Sequence, residues 1–216
     1  MVQEHATSRG VPSLNVVISG LTASGKTRFG TELARQLGYR YVSASETLIQ
    51  RLGIPPRMRH DIWGDGFDAV ARLRDSGDPD RWLDMEMARL AEIQENTVFD
   101  SWALPWFAPR GALRIWLSCS HETRCRKARL AHSPGERRPL RHYADIIDRK
   151  DADSRARFRS LYGIEYGPDP GVFDHVLDAT EYYVDSPTPR SEQKAGEFSR
   201  HLLNTVRNSM EETFTA

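Results

Sequence analysis

The sequence contains little cysteine and no long hydrophobic run. Its two cysteines, Cys119 and Cys125, are too few for a disulfide framework, so we expect two reduced thiols. No apolar run approaches the roughly 20 residues that a membrane-spanning helix requires. Residues 1–10 are polar and lack the apolar centre of a secretory signal. We therefore expect a soluble, cytoplasmic protein with no membrane partner.

An excess of charge of one sign is also absent. Lys and Arg total 30, Asp and Glu also total 30, and the formal net charge at pH 7 is +0. A general nucleic-acid binder would carry a basic excess, so we expect no nucleic-acid partner. The 216 residues suit one α/β domain, residues 1–216, which we expect to act as a monomer or homodimer.

Lysine is scarce, and one of the few lysines completes a phosphate-binding motif. Residues 20–27, Gly-Leu-Thr-Ala-Ser-Gly-Lys-Thr, fit the pattern Gly-x-x-x-x-Gly-Lys-Ser/Thr. The preceding residues 14–19 have the composition of a short buried strand, and residues 26–37 carry apolar residues on one helical face. This strand, loop and helix context is the one in which backbone N–H groups point at the phosphates of a nucleotide.

Each residue type in the motif suits a part of a nucleotide site. Gly20 and Gly25 let the backbone approach phosphate oxygens, Lys26 adds a positive charge, and Thr27 offers a hydroxyl to Mg²⁺. The motif therefore predicts ATP and Mg²⁺ as cofactors. The predicted cofactor-binding residues within it are Gly20, Ala23, Ser24, Gly25, Lys26 and Thr27.

The rest of the chain continues the alternation of strands and helices that is typical of a parallel sheet. Further strands are predicted at residues 39–42, 97–99, 113–117 and 172–177, which gives an α/β fold with a five-stranded, parallel, doubly wound sheet. Residues 44–95 are too long for a simple crossover and predict a helical acceptor-binding insertion. Two basic helices within residues 121–161 predict a lid, and residues 191–210 predict a final helix on the sheet.

Asp100 follows the third predicted strand directly. The carboxyl end of that strand faces the crevice beside the phosphate loop, where a carboxylate can hold Mg²⁺ or accept a proton from an attacking hydroxyl. The alternative is an aspartate that caps the following turn. We expect two to four of the basic lid residues to touch ATP or the transferred group. The candidates are Arg124, Arg126, Lys127, Arg129, Arg149, Lys150, Arg155 and Arg157.

Four segments together resemble the cytidylate kinase-like family of P-loop nucleoside monophosphate kinases, particularly its archaeal-type branch. The segments are residues 18–27, residues 37–46, the 116–118 strand with Arg124, and Arg157-Phe158 followed by residues 161–165. The similarity runs from residue 14 to about residue 178. It implies the nucleoside monophosphate kinase type of fold and phosphoryl transfer from ATP to a small-molecule acceptor, by default CMP or dCMP.

The resemblance also assigns roles to residues outside the phosphate loop. It implies that Arg124 lies near the adenine and that Lys127 and Arg157 belong to the lid. Together with the motif and the strand end, this predicts Lys26, Asp100, Lys127 and Arg157 as catalytic residues and Thr27 and Asp100 as metal ligands. The predicted acceptor-binding residues are Ser43, Glu46, Arg51, Asp84 and Trp102, of which the resemblance places Ser43 and Glu46 at the pocket entrance.

Two departures from the family pattern indicate an altered acceptor site. Ile49 and Trp102 stand where the resembled enzymes carry arginines that bind the phosphate of the acceptor. We therefore expect CMP to be a poor acceptor unless Arg51 or a lid arginine replaces them. The alternatives are a modified nucleotide, a nucleoside, another small hydroxyl or phosphonate metabolite, or an ATP-sensing protein that transfers no phosphate.

Overall fold

The computed structural model describes residues 14–54, 74, 77–183 and 189–215. In these ranges five parallel strands form one sheet with the order β2-β3-β1-β4-β5. The strands are β1 Val16–Ser19, β2 Arg40–Ser43, β3 Thr97–Asp100, β4 Leu113–Ser118 and β5 His175–Asp178. The α-helices are α1 Lys26–Leu37, α2 Ala44–Arg51, α3 Asp78–Ile93, α4 Leu104–Phe107, α5 His121–Leu130, α6 Leu140–Tyr162 and α7 Pro189–Thr215. The predicted α/β fold with a five-stranded parallel sheet is confirmed.

The fifth strand is shorter than predicted. Residues 172–177 were expected to be extended, but β5 begins only at His175. The N–H groups of Val172 and Phe173 both donate to the Asp169 carbonyl, so a turn occupies the start of the apolar run. Hydrophobic composition alone does not separate a buried turn from the strand that follows it.

Helices cover both faces of the sheet, as the buried β1 run requires. On one face Val16 and Ile18 belong to a core with α1 and α7, in which the Phe29 and Phe198 rings lie 4.5 Å apart. On the other face Val17 packs with side chains of α2, α3 and α4, including Met87. The two cores hold β1 at the centre of the sheet and fix the loop that follows it.

The predicted insertion lies between β2 and β3 in the chain, and the predicted lid lies between β4 and β5. The insertion contains α2 and α3, and its residues 55–73 and 75–76 lie outside the described residues. The predicted lid consists of α5 and α6, joined through a 3₁₀ turn at Pro134–Glu136. Within the described ranges, no helix is both long enough and apolar enough to cross a membrane.

Replacement of Phe198 tests the packing of α7 on the sheet. Phe198 is fully buried against Phe29, so Phe198→Ala should lower the free energy of unfolding by about 3–5 kcal/mol through lost burial and a cavity. Met85, on α3, is largely exposed, so Met85→Ala should change the free energy of unfolding by less than about 0.5 kcal/mol. Equilibrium urea unfolding measures both. Equal effects of the two substitutions would contradict the described position of α7.

Candidate active site

The loop between β1 and α1 adopts a conformation that requires its glycines. Gly20 and Gly25 have φ angles of 149° and 110°. A Cβ on Gly25 would lie 2.2 Å from the Tyr183 hydroxyl and 2.9 Å from the Phe29 ring, so no larger residue fits. Gly25 is also the N-cap of α1, which leaves the first-turn N–H groups of that helix directed at the loop's concave side.

The Lys26 side chain folds back along this loop and contacts its backbone. Its Nζ donates hydrogen bonds to the carbonyls of Gly20 at 2.8 Å and Leu21 at 3.0 Å. Burial lowers the pKa of Lys26, and the nearby carboxylates of Asp100 and Asp151 partly oppose that effect. The loop therefore holds a desolvated ammonium group beside its backbone N–H groups, as binding of an anion requires.

Asp100 joins the phosphate loop to the end of β3. Its Oδ2 accepts hydrogen bonds from Thr27 Oγ1 at 2.9 Å and from the Tyr41 hydroxyl at 3.0 Å. A hydroxyl beside a carboxylate offers the hard oxygen ligands that Mg²⁺ prefers. Among the described residues no group of three or more His, Cys, Asp or Glu side chains could hold a metal. The pair therefore fits an ion that phosphates and water also coordinate.

A buried ion pair clamps the third residue of the loop. Asp151 on α6 accepts from the Thr22 N–H at 3.0 Å and from Arg124 Nη1 at 2.7 Å. Arg124, on α5, also donates to the Thr22 carbonyl at 3.0 Å. The two charged side chains are only 5% and 6% exposed. Arg124, predicted near the adenine, thus contacts the loop backbone, and Asp151 was not predicted as a site residue.

Lys127 and Arg157, the two residues that the resemblance assigns to the lid, lie in different places. Lys127 Nζ donates to the Ala23 carbonyl at 3.2 Å and to the Tyr183 hydroxyl at 2.7 Å, and burial lowers its pKa to about 7. Arg157 instead pairs with Asp153 at 2.9 Å, on the acceptor side of the site. The structure therefore brings Lys127 to the phosphate loop and does not bring Arg157 there.

Two cavities meet beside Asp100. One, of about 640 Å³, extends from the phosphate loop to α5 and α6, and its volume is within the usual range for small-molecule sites. The other, of about 40 Å³, has an apolar wall from α2 and α3 that includes Leu48, Ile49 and Leu83. The residues that line both are Thr22, Ser45, Asp100, Trp102 and Lys150. The two cavities therefore adjoin, and the second would have to widen to admit a molecule larger than a few waters.

The predicted acceptor residues are divided between these cavities and the surface. Trp102 lines both cavities, while Asp84 borders a smaller adjoining one and accepts from the Tyr162 hydroxyl at 2.6 Å. Burial raises the pKa of Asp84 to about 6. Ser43 is the N-cap of α2 and accepts from the Glu46 N–H at 3.4 Å. The next serine, Ser45, and not Ser43, faces the cavities.

Glu46 and Arg51 lie on the exposed side of α2. The Arg51 guanidinium stacks over the Trp82 ring at 4.9 Å. Neither Glu46 nor Arg51 borders the described cavities. Arg74, which was not predicted from the sequence, instead lines the second cavity, beside α2 and α3. No local sequence pattern marks it, because it lies outside any described helix or strand.

Comparison with known proteins identifies the family of the chain. The model of the cytidylate kinase-like family matches residues 15–181. The cytidylate kinase of Pyrobaculum aerophilum is 27% identical over 175 residues, covering 78% of this chain and 85% of that protein. The cytidylate kinase of Sulfolobus acidocaldarius is 27% identical over 197 residues, covering 89% and 98%.

A solved structure supports the fold independently. Shikimate kinase from Bacteroides thetaiotaomicron superposes with a TM-score of 0.55 at 14% identity, covering 88% of this chain and 99% of that one. At this identity the likeness concerns the fold alone. The family match spans most of the chain, including the phosphate loop, Asp100 and the clamp. The protein is therefore a kinase that belongs to the cytidylate kinase-like family.

Proposed function

We propose that the protein transfers the terminal phosphoryl group of ATP, with Mg²⁺, to a small acceptor in the cavity formed by α2, α3 and Trp102. CMP and dCMP are the acceptors that the family relationship favours. The observation that carries the proposal is that the two cavities meet at Asp100, next to the phosphate loop. Direct transfer requires the two reactants in contact, away from bulk water.

The phosphate loop supplies the donor half of the proposed site. Bound Mg²⁺–ATP would supply the phosphoryl group and partly neutralise its charge. Lys26 and the loop N–H groups would hold the phosphates, and Thr27 with Asp100 would hold the metal. The buried Ser24 Oγ has no hydrogen-bond partner among the described residues, which fits a loop built for a further anionic ligand.

Asp100 suits either kind of acceptor. A phosphate acceptor such as CMP needs no proton removed, so Asp100 would act only through the metal. A hydroxyl acceptor must lose a proton, and the Asp100 carboxylate lines the cavity where that hydroxyl would lie. The second cavity and the family membership favour either kinase activity over the alternative of an ATP sensor.

An acceptor panel tests the proposal. ATP consumption is measured with CMP, dCMP, cytidine and small hydroxyl and phosphonate compounds, each at the same concentration. Because Arg74 lines the cavity and can replace the arginines absent at Ile49 and Trp102, we expect the largest acceptor-dependent rate with CMP or dCMP. A larger rate with cytidine or a phosphonate would identify that class as the acceptor. If no acceptor increased ATP consumption, the result would contradict the proposal.

Lys26→Ala should abolish phosphoryl transfer and leave the fold intact. The substitution removes the positive charge that we place on the phosphates, so the turnover number should fall by about 10² or more. Lys194→Ala is the matched control, because Lys194 pairs with Glu197 on α7, far along the chain from the loop. Near-native turnover of a folded Lys26→Ala protein would contradict the phosphate-loop assignment.

Asp100→Asn should remove Mg²⁺-dependent activity with little loss of thermal stability. The amide keeps the volume of the side chain and can still accept from Thr27 and Tyr41, but it binds the metal weakly. Turnover against Mg²⁺ concentration and the melting temperature are measured for this variant and for the exposed Asp145→Asn. Preserved activity with a much lower melting temperature would mean that Asp100 is a structural cap.

Asp151→Asn should weaken ATP binding by about 10-fold. The clamp loses a charge-assisted hydrogen bond, worth ~1.5–3 kcal/mol, and with it the fixed position of Thr22. The control is Asp148→Asn, an exposed aspartate on the same helix. Calorimetric titration with ATP measures the dissociation constants. An unchanged ATP affinity in folded Asp151→Asn would show that the clamp does not shape the loop.

A further inference from the structure

The acceptor-side cavity contains an arginine that the sequence does not connect with it. The family resemblance implies phosphate-binding arginines at two positions, which here hold Ile49, buried in the apolar wall, and Trp102. Arg51, the nearest arginine in sequence, stacks on Trp82 and does not line the cavity. Arg74 lines both this cavity and the smaller one that adjoins it.

Side-chain contacts fix the Arg74 guanidinium in that position. Its Nε donates to Asp80 Oδ1 at 2.7 Å, and its Nη2 lies 2.5 Å from the same oxygen. The two side chains are 7% and 6% exposed. The guanidinium also lies over the Trp102 ring, with Cζ 5.2 Å from the ring centre. Contacts at one edge and one face hold the group before any ligand arrives.

The Arg74 backbone is held as well. Arg157 Nη1 donates to the Arg74 carbonyl at 2.8 Å, and the same atom lies 3.5 Å from Asp80 Oδ2. Arg157 is in turn paired with Asp153. Arg157, on the predicted lid helix α6, therefore contacts and supports Arg74.

A held and desolvated arginine is well suited to bind an anion. The guanidinium has five N–H donors in a planar fork, and the contacts with Asp80 involve only one edge of it. Fixing the side chain in advance removes most of the entropy cost of ordering it when the ligand binds. Lys150 lines the same cavity, but burial lowers its pKa to about 7, so it adds a full positive charge only below that pH.

We propose that Arg74 binds the anionic group of the acceptor, a phosphate monoester, and that Asp80 positions it. The apolar wall of α2 and α3 and the Trp102 ring would then contact the uncharged part of the acceptor. This inference rests on the proposed function only in treating the cavity as the acceptor site. It names acceptors with a phosphate as the preferred class and compensates in part for the arginines absent at Ile49 and Trp102.

Binding measurements with CMP and cytidine test this role, because the two probes differ only in the phosphate. Arg74→Ala alone would leave Asp80 buried without its partner, so the test variant is the double substitution Arg74→Gln/Asp80→Asn, which removes both charges. The control is Arg89→Gln on α3, an exposed arginine that pairs with Glu86. Isothermal titration calorimetry, in the absence of ATP, gives the two dissociation constants for each protein.

We expect the wild type and Arg89→Gln to bind CMP at least about 10-fold more tightly than cytidine, as one charge-assisted contact implies. In the double variant that ratio should fall to about one, with cytidine affinity within threefold of the wild type. A ratio that the double substitution leaves unchanged would overturn the role of Arg74, and so would a wild type that does not prefer CMP.

The role of Arg74 and the proposed kinase activity can be tested separately. Arg74-dependent binding of CMP without ATP-dependent turnover would support the role of Arg74 and contradict phosphoryl transfer to CMP. Turnover of a phosphorylated acceptor by the double variant at an unchanged KM would support the kinase activity and overturn the role of Arg74. Far-ultraviolet circular dichroism confirms that the compared proteins are folded.

Discussion

The position of the Asp100 carboxylate is the constraint on which the rest of the site depends. It ends β3, it accepts hydrogen bonds from Thr27 and Tyr41, and it lines both cavities. Parallel pairing of β1 with β3 sets Asp100 opposite Ile18, two residues before the loop begins. The register of two central strands thereby places a carboxylate of β3 against a hydroxyl of α1, and the two cavities adjoin there.

The parts of this site that the sequence predicts are those encoded within a few residues. The strand, loop and helix around Gly20 and Lys26 form a contiguous motif whose backbone conformation depends on glycine. Asp100 could be identified because carboxyl ends of parallel strands share one edge of the sheet, so its position follows from topology. The spacing of Phe198, Leu202 and Val206 likewise predicts the buried face of α7.

The contacts that could not be predicted join segments far apart in sequence. Asp151 is one of several acidic residues on α6, and only the packing of α6 against the loop selects it for Thr22. Arg74 depends on Asp80, Trp102 and Arg157 together, and none of these contacts follows from helical or strand periodicity. The proposed acceptor site is thus the less predictable half, because its groups come from three separate segments.

We propose that the two cavities that share Asp100 are the donor and acceptor halves of one phosphoryl-transfer site. The most direct test is calorimetric binding of a compound in which adenosine and cytidine are joined through five phosphates. Its affinity is compared with those of ADP and CMP alone. One continuous site predicts that the joined compound binds at least about 10²-fold more tightly than either part, because the second contact becomes intramolecular. An affinity no higher than that of ADP would contradict the claim.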